Sequence, residues 1–261
     1  MSSVLTSLDA GVLSITLNRP EKLNSFIPEM HKLLREAFER AADEAQIRAV
    51  LLTGAGRGFC AGQDLSERDV SPGAAPIDLA VSLGSNYNPL VRRMRELPKP
   101  IVCAVNGVAA GAGANIAFAC DLVIAARSAS FVQSFSRLGL VPDSGGTWFL
   151  PRLAGSARAM GLALLGETIS AEHAEQWGLI WKVVEDNELT QKSLEIAQAL
   201  AAGPTRGYGL VKKALNASWG NSLDAQLDLE RDLQREAGLT QDYREGVAAF
   251  MQKRKPEYKG K

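Results

Sequence analysis

Cysteine and histidine are the residues this sequence has least of. Its 261 residues include three cysteines, with no Cys-x-x-Cys pair, and two histidines, His31 and His173. An odd number of cysteines excludes a disulfide framework and is typical of a reducing compartment, so we predict a cytoplasmic protein. A His-rich zinc site is excluded as well. We expect no metal, a carboxylate as any catalytic base, and both histidines at the surface or the edge of the core.

Net charge and a basic leader are also missing. Lys and Arg number 29 and Asp and Glu number 29, so the formal net charge is zero. Proteins that bind nucleic acid through phosphate contacts carry a basic surplus, so we expect no nucleic-acid partner. The N-terminal segment lacks a basic start followed by an apolar run, so no signal peptide is expected.

One uncharged run, Ile101–Cys120, matches a membrane span in length. It also contains the Gly107-x-x-x-Gly111 spacing found where membrane helices pack. Alanine and glycine dominate the run, however, and Asn106 and Asn115 interrupt it. A buried strand followed by a buried helix explains the same composition, so we predict that arrangement and no membrane contact.

Two motifs of nucleotide-binding and hydrolytic enzymes are incomplete. Gly54-x-Gly56-x-Gly58 follows a predicted strand, but its spacing differs from the G-x-G-x-x-G fingerprint, and no P-loop sequence occurs. Pro142–Gly146 is similar to the string around a serine-protease nucleophile, but that arrangement needs a histidine paired with an aspartate. Neither function is favoured.

Hydrophobic periodicity predicts an α/β protein, because buried strands alternate with amphipathic helices. The predicted strands are Val4–Leu8, Val12–Leu17, Ala49–Thr53, Pro100–Val105 and Leu122–Ala126. The predicted helices are Met30–Ala41, Asn88–Glu96, Ala112–Cys120 and Thr147–Leu150, and after Asn187 Leu189–Ala202, Pro204–Ser218, Ser222–Ala237 and Asp242–Lys253. The segment Ser71–Ala80, rich in Pro, Gly and Ala, is predicted to be a flexible loop.

Two turns of small residues follow predicted strands and are candidates for ligand binding. The first is Ala61–Leu65, and the second is Gly107–Gly113, which opens a helix. Small residues let a ligand approach the backbone, and the first N–H groups of a helix have no intrahelical partner. Two such N–H groups aimed at one point form an oxyanion hole. Composition alone favours tightly packed turns without a ligand.

Four longer strings resemble those of the crotonase (enoyl-CoA hydratase/isomerase) superfamily, and the resemblance extends over nearly the whole chain. They are Asn18–Ser25, Gly58–Leu65, Lys99–Gly107 and Leu138–Pro142. The resemblance implies an α/β crotonase (ClpP-like) fold of repeated ββα units. It also implies a core domain at residues 1–200, a C-terminal helical trimerisation region at residues 201–261, and a homotrimer or homohexamer.

The resemblance further implies an acyl-CoA thioester as substrate. The thioester oxygen is expected to accept hydrogen bonds from the N–H groups of Gln63 and Ala112, which lie in the two turns. Because CoA is part of the substrate, no separate cofactor is expected. The residues implied to lie near CoA are Lys22, Leu23, Ala61, Asp64 and Leu65. Phe250 and Lys253 of the last helix are implied to reach CoA as well, bound either to the same subunit or to an adjacent one.

Three positions depart from the hydratases of the superfamily. The positions where those hydratases carry glutamate hold Asn115 and Phe135, and neither side chain can act as a general base. A carboxylate stands instead at Asp143, where hydratases usually have glycine and some double-bond isomerases have their catalytic aspartate. We therefore predict an isomerase in which Asp143 moves a proton and Asn115 orients the substrate or Asp143. Apolar neighbours are expected to bury Asp143 and raise its pKa, namely Phe135, Leu138, Val141 and Trp148.

Three further strings are similar to isomerases of aryl-epoxide thioesters within the superfamily: Asn88–Arg93, Pro142–Trp148 and Asp242–Gly246. They imply conversion of 1,2-epoxyphenylacetyl-CoA to oxepin-CoA, a step of phenylacetate degradation. The nearest alternative is a Δ3,Δ2-enoyl-CoA isomerase, followed by a hydratase or a non-catalytic member that binds CoA esters or RNA. Two structural alternatives also stay open: Asp143 caps the following helix, and Asn115 faces solvent.

Overall fold

The computed structural model describes residues 2–68, 71, 73, 75 and 77–261. The strands are β1 (Val4–Asp9), β2 (Val12–Leu17), β3 (Ala49–Gly54), β4 (Gly58–Cys60), β5 (Ile101–Val105), β6 (Val108–Ala110), β7 (Leu122–Ala126), β8 (Ser130–Val132), β9 (Thr168–Ser170) and β10 (Lys182–Val184). The helices are α1 (Pro28–Asp43), α2 (Leu79–Ser82), α3 (Asn88–Glu96), α4 (Ala112–Phe118), α5 (Gly146–Ala154), α6 (Ser156–Leu165), α7 (Ala171–Gln176), α8 (Leu189–Ala202), α9 (Thr205–Ser218), α10 (Leu223–Gly238) and α11 (Gln241–Met251).

The strands form two sheets, and from β3 to β8 successive strands of the chain alternate between them. The larger sheet has the order β1-β2-β3-β5-β7-β10, and the smaller one has the order β4-β6-β8-β9. β1 and β2 form the predicted antiparallel hairpin, and the other neighbours in the larger sheet pair in parallel. In the pairs β3–β4, β5–β6 and β7–β8, the first strand joins the larger sheet and the second joins the smaller sheet. Each pair is followed by helix, which confirms the predicted α/β fold of repeated ββα units.

The sequence predicts the long strands and misses the short ones. β1, β2, β3, β5 and β7 lie within one residue of their predicted ranges. The strands of the smaller sheet, and β10, are three residues long and were not predicted. Three residues are too few to show the period of two that identifies a strand.

Helix α1 shows how the pattern of apolar residues places the core. It begins at Pro28, whose fixed φ suits the first helical position. Its buried stripe packs against β1 and β2. The apolar members of that stripe are Met30, Leu34, Ala37, Phe38 and Ala41. A fully buried Leu or Phe side chain stabilises the fold by about 1.5–3 kcal/mol, so this stripe fixes the helix on the sheet.

The uncharged run Ile101–Cys120 folds as predicted, into buried structure. It contains β5, β6 and α4, and every residue of β5 and α4 is buried. No helix within the described part of the chain is long and apolar enough to cross a membrane.

The predicted loop Ser71–Ala80 is too long at its C-terminal end. Helix α2 already begins at Leu79, because the Asp78 side chain accepts a hydrogen bond from the N–H of Ala80 and caps the helix. A π-helical turn at Leu83–Tyr87 then joins α2 to α3, which begins at the predicted residue. Positions 72, 74 and 76 of the predicted loop lie outside the described residues.

From Leu189 to Met251 the chain consists of helices joined by short turns, as the loss of strand signals predicts. Helix α8 packs against β3 and β5. Helix α9 is tied to the core by Lys212, whose Nζ donates to Asp121 Oδ2 over 2.8 Å and to the carbonyl oxygen of Met94 over 2.8 Å. The division into a core at 1–200 and a helical region at 201–261 stays a prediction.

Candidate active site

The two turns of small residues lie against each other. A Cβ atom on Gly113 would stand 2.3 Å from the carbonyl oxygen of Cys60, so only glycine lets α4 approach β4 this closely. Gly62 has a φ of +86°, and its Cβ position lies 3.6 Å from the backbone nitrogen of Ala112. Glycine is therefore required at both contacts, once for space and once for conformation.

This packing brings together the two predicted amides. Phe26 bridges the first turn, because its N–H donates to the Gly62 oxygen and its own oxygen accepts from the N–H of Asp64. In such a parallel bridge the N–H of the intervening residue, Gln63, points to the opposite side. Ala112 is the first residue of α4, so its N–H has no acceptor inside the helix. Two main-chain donors thus belong to adjoining turns.

The side chain of Gln63 is held at both of its amide atoms. Tyr87 Oη donates to Gln63 Oε1 over 2.8 Å, and Gln63 Nε2 donates to the carbonyl oxygens of Phe26 and Asp64 over 3.2 and 3.3 Å. Tyr87 is buried, and burial is the main reason why its pKa lies above the ordinary value. Sequence reasoning did not identify Tyr87, because its contact with Gln63 spans 24 positions.

Asn115 connects the second turn to the candidate base. It is fully buried on α4, so the solvent-facing alternative is wrong. Its Nδ2 donates to the backbone oxygen of Asp143 over 2.8 Å, and its Oδ1 accepts from Gln133 Nε2 over 2.9 Å. A Cβ on Gly146 would lie 2.3 Å from Asn115 Nδ2, so glycine is needed there as well. Asn115 therefore positions the backbone of the Asp143 loop.

Asp143 is half-buried, and its burial raises the pKa of its carboxyl group above the ordinary value. The hydroxyl of Ser144 opposes this shift by donating to Asp143 Oδ1 over 2.8 Å. The carboxylate does not cap α5, since the residue before that helix is Gly145 and no side chain caps it. A partly desolvated carboxylate with a raised pKa is suited to act as a base.

The apolar surroundings expected for Asp143 are only partly present. Phe135 is buried, and its ring lies 3.6 Å from the Cβ position of Gly111 at the start of α4. Leu138 and Val141 are instead 54% and 78% exposed in the single chain, and Trp148 is 36% exposed. Trp148 packs against Trp219 with ring centroids 4.6 Å apart. The sequence string places these residues near Asp143 but does not show that three of them are exposed in the single chain.

Four of the residues implied to lie near CoA come together around the first turn. Lys22 ends a 3₁₀ turn, and Leu23 follows it with a φ of +47°. The Leu23 carbonyl oxygen accepts from the N–H of Ala61 over 2.9 Å. Asp64 is buried, with hydrogen bonds from Ser66 and an ion pair of 2.9 Å to Arg19. The Ser66 hydroxyl, and then Arg19, lower the pKa of Asp64 to about 2. Its carboxylate is therefore committed to holding this turn.

The remaining three residues are exposed. Leu65 begins a 3₁₀ turn next to Asp64 and is 53% exposed. Phe250 is 82% exposed on α11, and Lys253 is exposed just after that helix. Helix α11 packs against α10.

The expectation for the two histidines is half wrong. His173 is exposed, but His31 is buried, with its ring centroid 4.3 Å from that of Tyr87 and 5.0 Å from that of Phe26. Neither ring nitrogen has a hydrogen-bond partner among the described residues. Burial, with a smaller contribution from Arg35, lowers the pKa of His31 to about 4. His31 also lines a cavity of about 610 Å³ that reaches Gln63.

Comparison with known proteins shows the family to which the chain belongs. The enoyl-CoA hydratase/isomerase family matches residues 7–261. The 1,2-epoxyphenylacetyl-CoA isomerase of Escherichia coli (strain K12) is 58% identical over 261 residues, which are 100% of both chains. A protein of Rhodobacter capsulatus named "Probable enoyl-CoA hydratase" is 49% identical over 97% of this chain and 96% of its own.

Solved structures lead to the same result. The crystal structure of an enoyl-CoA hydratase from Bacillus anthracis matches with a TM-score of 0.93 and 34% identity. The match covers 99% of this chain and 100% of that chain. The chain therefore belongs to the enoyl-CoA hydratase/isomerase family, the crotonase superfamily that its sequence resembles, and has the fold of that family.

Proposed function

We propose that this protein is an isomerase of acyl-CoA thioesters that converts 1,2-epoxyphenylacetyl-CoA to oxepin-CoA in phenylacetate degradation. The observation that carries the proposal is the half-buried carboxylate of Asp143, whose backbone oxygen accepts a hydrogen bond from Asn115 on the helix that begins with Ala112. The 58% identity to an isomerase of that substrate over the full chain supports the choice of acyl group.

The two main-chain amides activate the thioester. In this proposal the N–H groups of Gln63 and Ala112 donate to the thioester oxygen, where negative charge develops when the α-proton leaves. Removing one such donor from other enzymes costs roughly 3–4 kcal/mol of transition-state stabilisation. The donors are main-chain groups in closely packed turns, so they need little reorganisation during the reaction.

Asp143 carries the proton between two carbon atoms. Its carboxylate removes the α-proton, and the electron pair of that C–H bond becomes part of the thioester enolate. The carbon–carbon bond shared by the epoxide and the six-membered ring opens to give the seven-membered oxepin ring. Asp143 then returns the proton to a ring carbon. No atom or electron is gained or lost, so the reaction needs no redox cofactor.

Hydration is disfavoured by the same residues. Adding water across a double bond needs carboxylates that orient the water and deliver a proton. Asn115 has both amide atoms engaged, with Asp143 and Gln133, and Phe135 has no polar atom. We therefore expect negligible hydration of crotonyl-CoA.

The CoA portion is proposed to bind along Lys22, Leu23, Ala61, Asp64 and Leu65. Because Phe250 is 82% exposed and Lys253 is also exposed, we propose that they reach CoA bound to an adjacent subunit of a homotrimer or homohexamer. Large apolar side chains that are more than half exposed on α10 and α11 support assembly. They are Leu223, Leu227, Phe250 and Met251. The three buried free cysteines support a cytoplasmic location.

A Δ3,Δ2-enoyl-CoA isomerase is the second candidate function. A single base beside two amide donors can also move a proton along a linear 3-enoyl thioester. The two functions are separated by kcat/KM for both substrates, measured with one preparation of the protein.

The decisive experiment offers the purified protein 1,2-epoxyphenylacetyl-CoA that carries deuterium at the α-carbon. Substrate and product have the same mass, so the product is identified by chromatography and NMR. We expect oxepin-CoA with part of the deuterium at a ring carbon, because one carboxylate moves it. A substrate that remains unchanged under these conditions would refute the proposal.

A further inference from the structure

The loop that carries Asp143 has an unusual backbone. Ser144 has a φ of +51° and Gly145 has a φ of +84°, so two successive residues adopt the left-handed region between Asp143 and α5. For a residue with a Cβ atom this conformation costs roughly 1–2 kcal/mol. Ser144 is nevertheless fully buried, at 1% exposure. A contact within the loop must therefore hold Ser144 in this left-handed conformation.

The backbone oxygen of Asp143 provides that restraint. It accepts one hydrogen bond from Asn115 Nδ2 over 2.8 Å and another from the N–H of Gly146 over 2.7 Å. With this oxygen fixed from two sides, the chain turns sharply through Ser144. The turn directs the Ser144 hydroxyl back toward the carboxylate of the preceding residue, where it donates to Oδ1 over 2.8 Å.

This hydrogen bond makes the two carboxylate oxygens unequal. Oδ1 is occupied by Ser144, whereas the structure records no hydrogen bond to Oδ2 from any described residue. We propose that Ser144 is a positioning residue that reserves Oδ2 of Asp143 for proton transfer. The inference rests on the proposed function and deepens it, because it names which oxygen is the base and what holds it.

The reason for such an arrangement lies in the reaction. The same oxygen must take a proton from the α-carbon and give it to a ring carbon of the substrate. A carboxyl group that rotated between these events would move the proton away from the acceptor carbon. Holding Oδ1 prevents this rotation while Oδ2 carries the proton. The hydroxyl also stabilises the carboxylate form, which keeps the base ionised in a site where burial opposes ionisation.

Among the described residues, the phenol of Tyr87 on the π-helical turn interacts electrostatically with the Asp143 carboxylate. The pKa of Tyr87 is raised chiefly by burial and further by the Asp143 carboxylate. Tyr87 is therefore neutral where the enzyme works. From α4, Asn115 faces the loop with a neutral amide, and the Ser144 hydroxyl is also neutral. A change in the pKa of Asp143 between the wild type and a Ser144 variant is therefore attributed to the loss of the hydrogen bond from Ser144.

The test compares Ser144→Ala with Ser144→Gly. Both variants lose the hydroxyl, but only glycine relieves the positive φ. We expect kcat to fall about tenfold in both variants, with an unchanged KM, because a hydrogen bond to a charged group contributes on that scale. We also expect the acid limb of the kcat profile to move to higher pH in both, since the carboxylate loses a stabilising donor. Ser144→Gly should have a higher Tm than Ser144→Ala.

A purely structural role predicts a different result, in which Tm falls but the acid limb stays at the wild-type pH. That outcome would overturn the inference. A second readout does not depend on turnover: carboxyl ¹³C NMR of the full-length protein follows the titration of Asp143 in wild type and Ser144→Ala. Equal titration in both would also overturn it. If the wild type fails to isomerise the thioester but the NMR titration differs, the proposed function fails while the Ser144–Asp143 contact stands.

Discussion

The two sides of the candidate site are built in different ways. The amide side, defined as Gln63 and Ala112 with their two turns, is made of main-chain groups fixed by close packing and by the bonds of the Gln63 side chain. The carboxylate side, defined as Asp143 and Ser144, is one side chain on a strained loop held by a few hydrogen bonds. In the proposed function the amide side activates the thioester, whereas the carboxylate side determines where the proton goes.

The largest expected effect comes from removing the base. Asp143→Asn keeps the shape of the side chain but cannot accept the α-proton, so we expect kcat to fall by roughly 10²- to 10⁴-fold. Binding of phenylacetyl-CoA, measured by calorimetry, should stay within about twofold because the amide side is intact. Near-normal turnover by this variant would show that another group is the base.

His31 of α1, which packs beside the amide side, makes the stability of the protein sensitive to acid. His31 packs against Tyr87 and has a pKa of about 4, compared with an ordinary value of 6.5. The unfolded chain therefore binds a proton that the folded chain excludes between these values. The contribution of His31 is fully retained above pH 6.5 and is lost as pH falls toward 4. The resulting loss in the free energy of unfolding is at most about 3 kcal/mol.

The measurement is urea denaturation at a series of pH values. Replacing His31 with phenylalanine removes the titration while keeping an aromatic ring beside Phe26, so the acid-dependent loss should shrink in this variant. His173→Phe, at an exposed position, is the matched control and should leave the pH dependence unchanged. If wild type and His31→Phe lose stability in parallel, the buried imidazole is not the cause.

The next effect concerns the packing of the two turns. Gly113→Ala forces a methyl group to 2.3 Å from the Cys60 oxygen and pushes α4 away from β4. We expect a loss of about 1–3 kcal/mol in stability, as for other overpacked sites, together with a lower kcat because the Ala112 N–H moves. Thermal unfolding and steady-state kinetics measure both.

The control for this variant is Gly161→Ala on α6, where a Cβ meets nothing within 4 Å. Alanine there should be neutral or stabilising by up to about 1 kcal/mol, since it favours helix. A Gly113→Ala variant with wild-type kcat would mean that the close contact of the turns does not position the amide.

The fold and the candidate site are predicted from different kinds of signal in the sequence. Long strands and the C-terminal helices have a period that can be recognised, and the short strands of the smaller sheet do not. Gln63, Ala112 and Asp143 were found through strings that resemble a family, and the structure places them on adjoining elements. Their roles stay proposals.

What sequence reasoning missed are contacts between distant residues. The bond from Gln133 to Asn115 spans 18 positions and the bond from Tyr87 to Gln63 spans 24, and neither leaves a local pattern. His31 was misplaced for a related reason. Helix α1 packs against the larger sheet on one side and against α3 and the π-helical turn on the other, so a residue beside the main apolar stripe is also buried.

The smallest expected effect comes from a change at Tyr87, which tests packing and hydrogen bonding on the amide side separately. Tyr87→Phe keeps the ring against His31 and Phe26 but removes the donor to Gln63 Oε1. The net value of such a hydrogen bond is about 1 kcal/mol, so we expect kcat to fall about fivefold. Tyr243→Phe, at a 56% exposed position, is the control and should not change kcat. If Tyr87→Phe retains full activity while Gly113→Ala loses it, close packing of the turns is sufficient to position the Gln63 amide, and the difference between the two sides is larger than proposed.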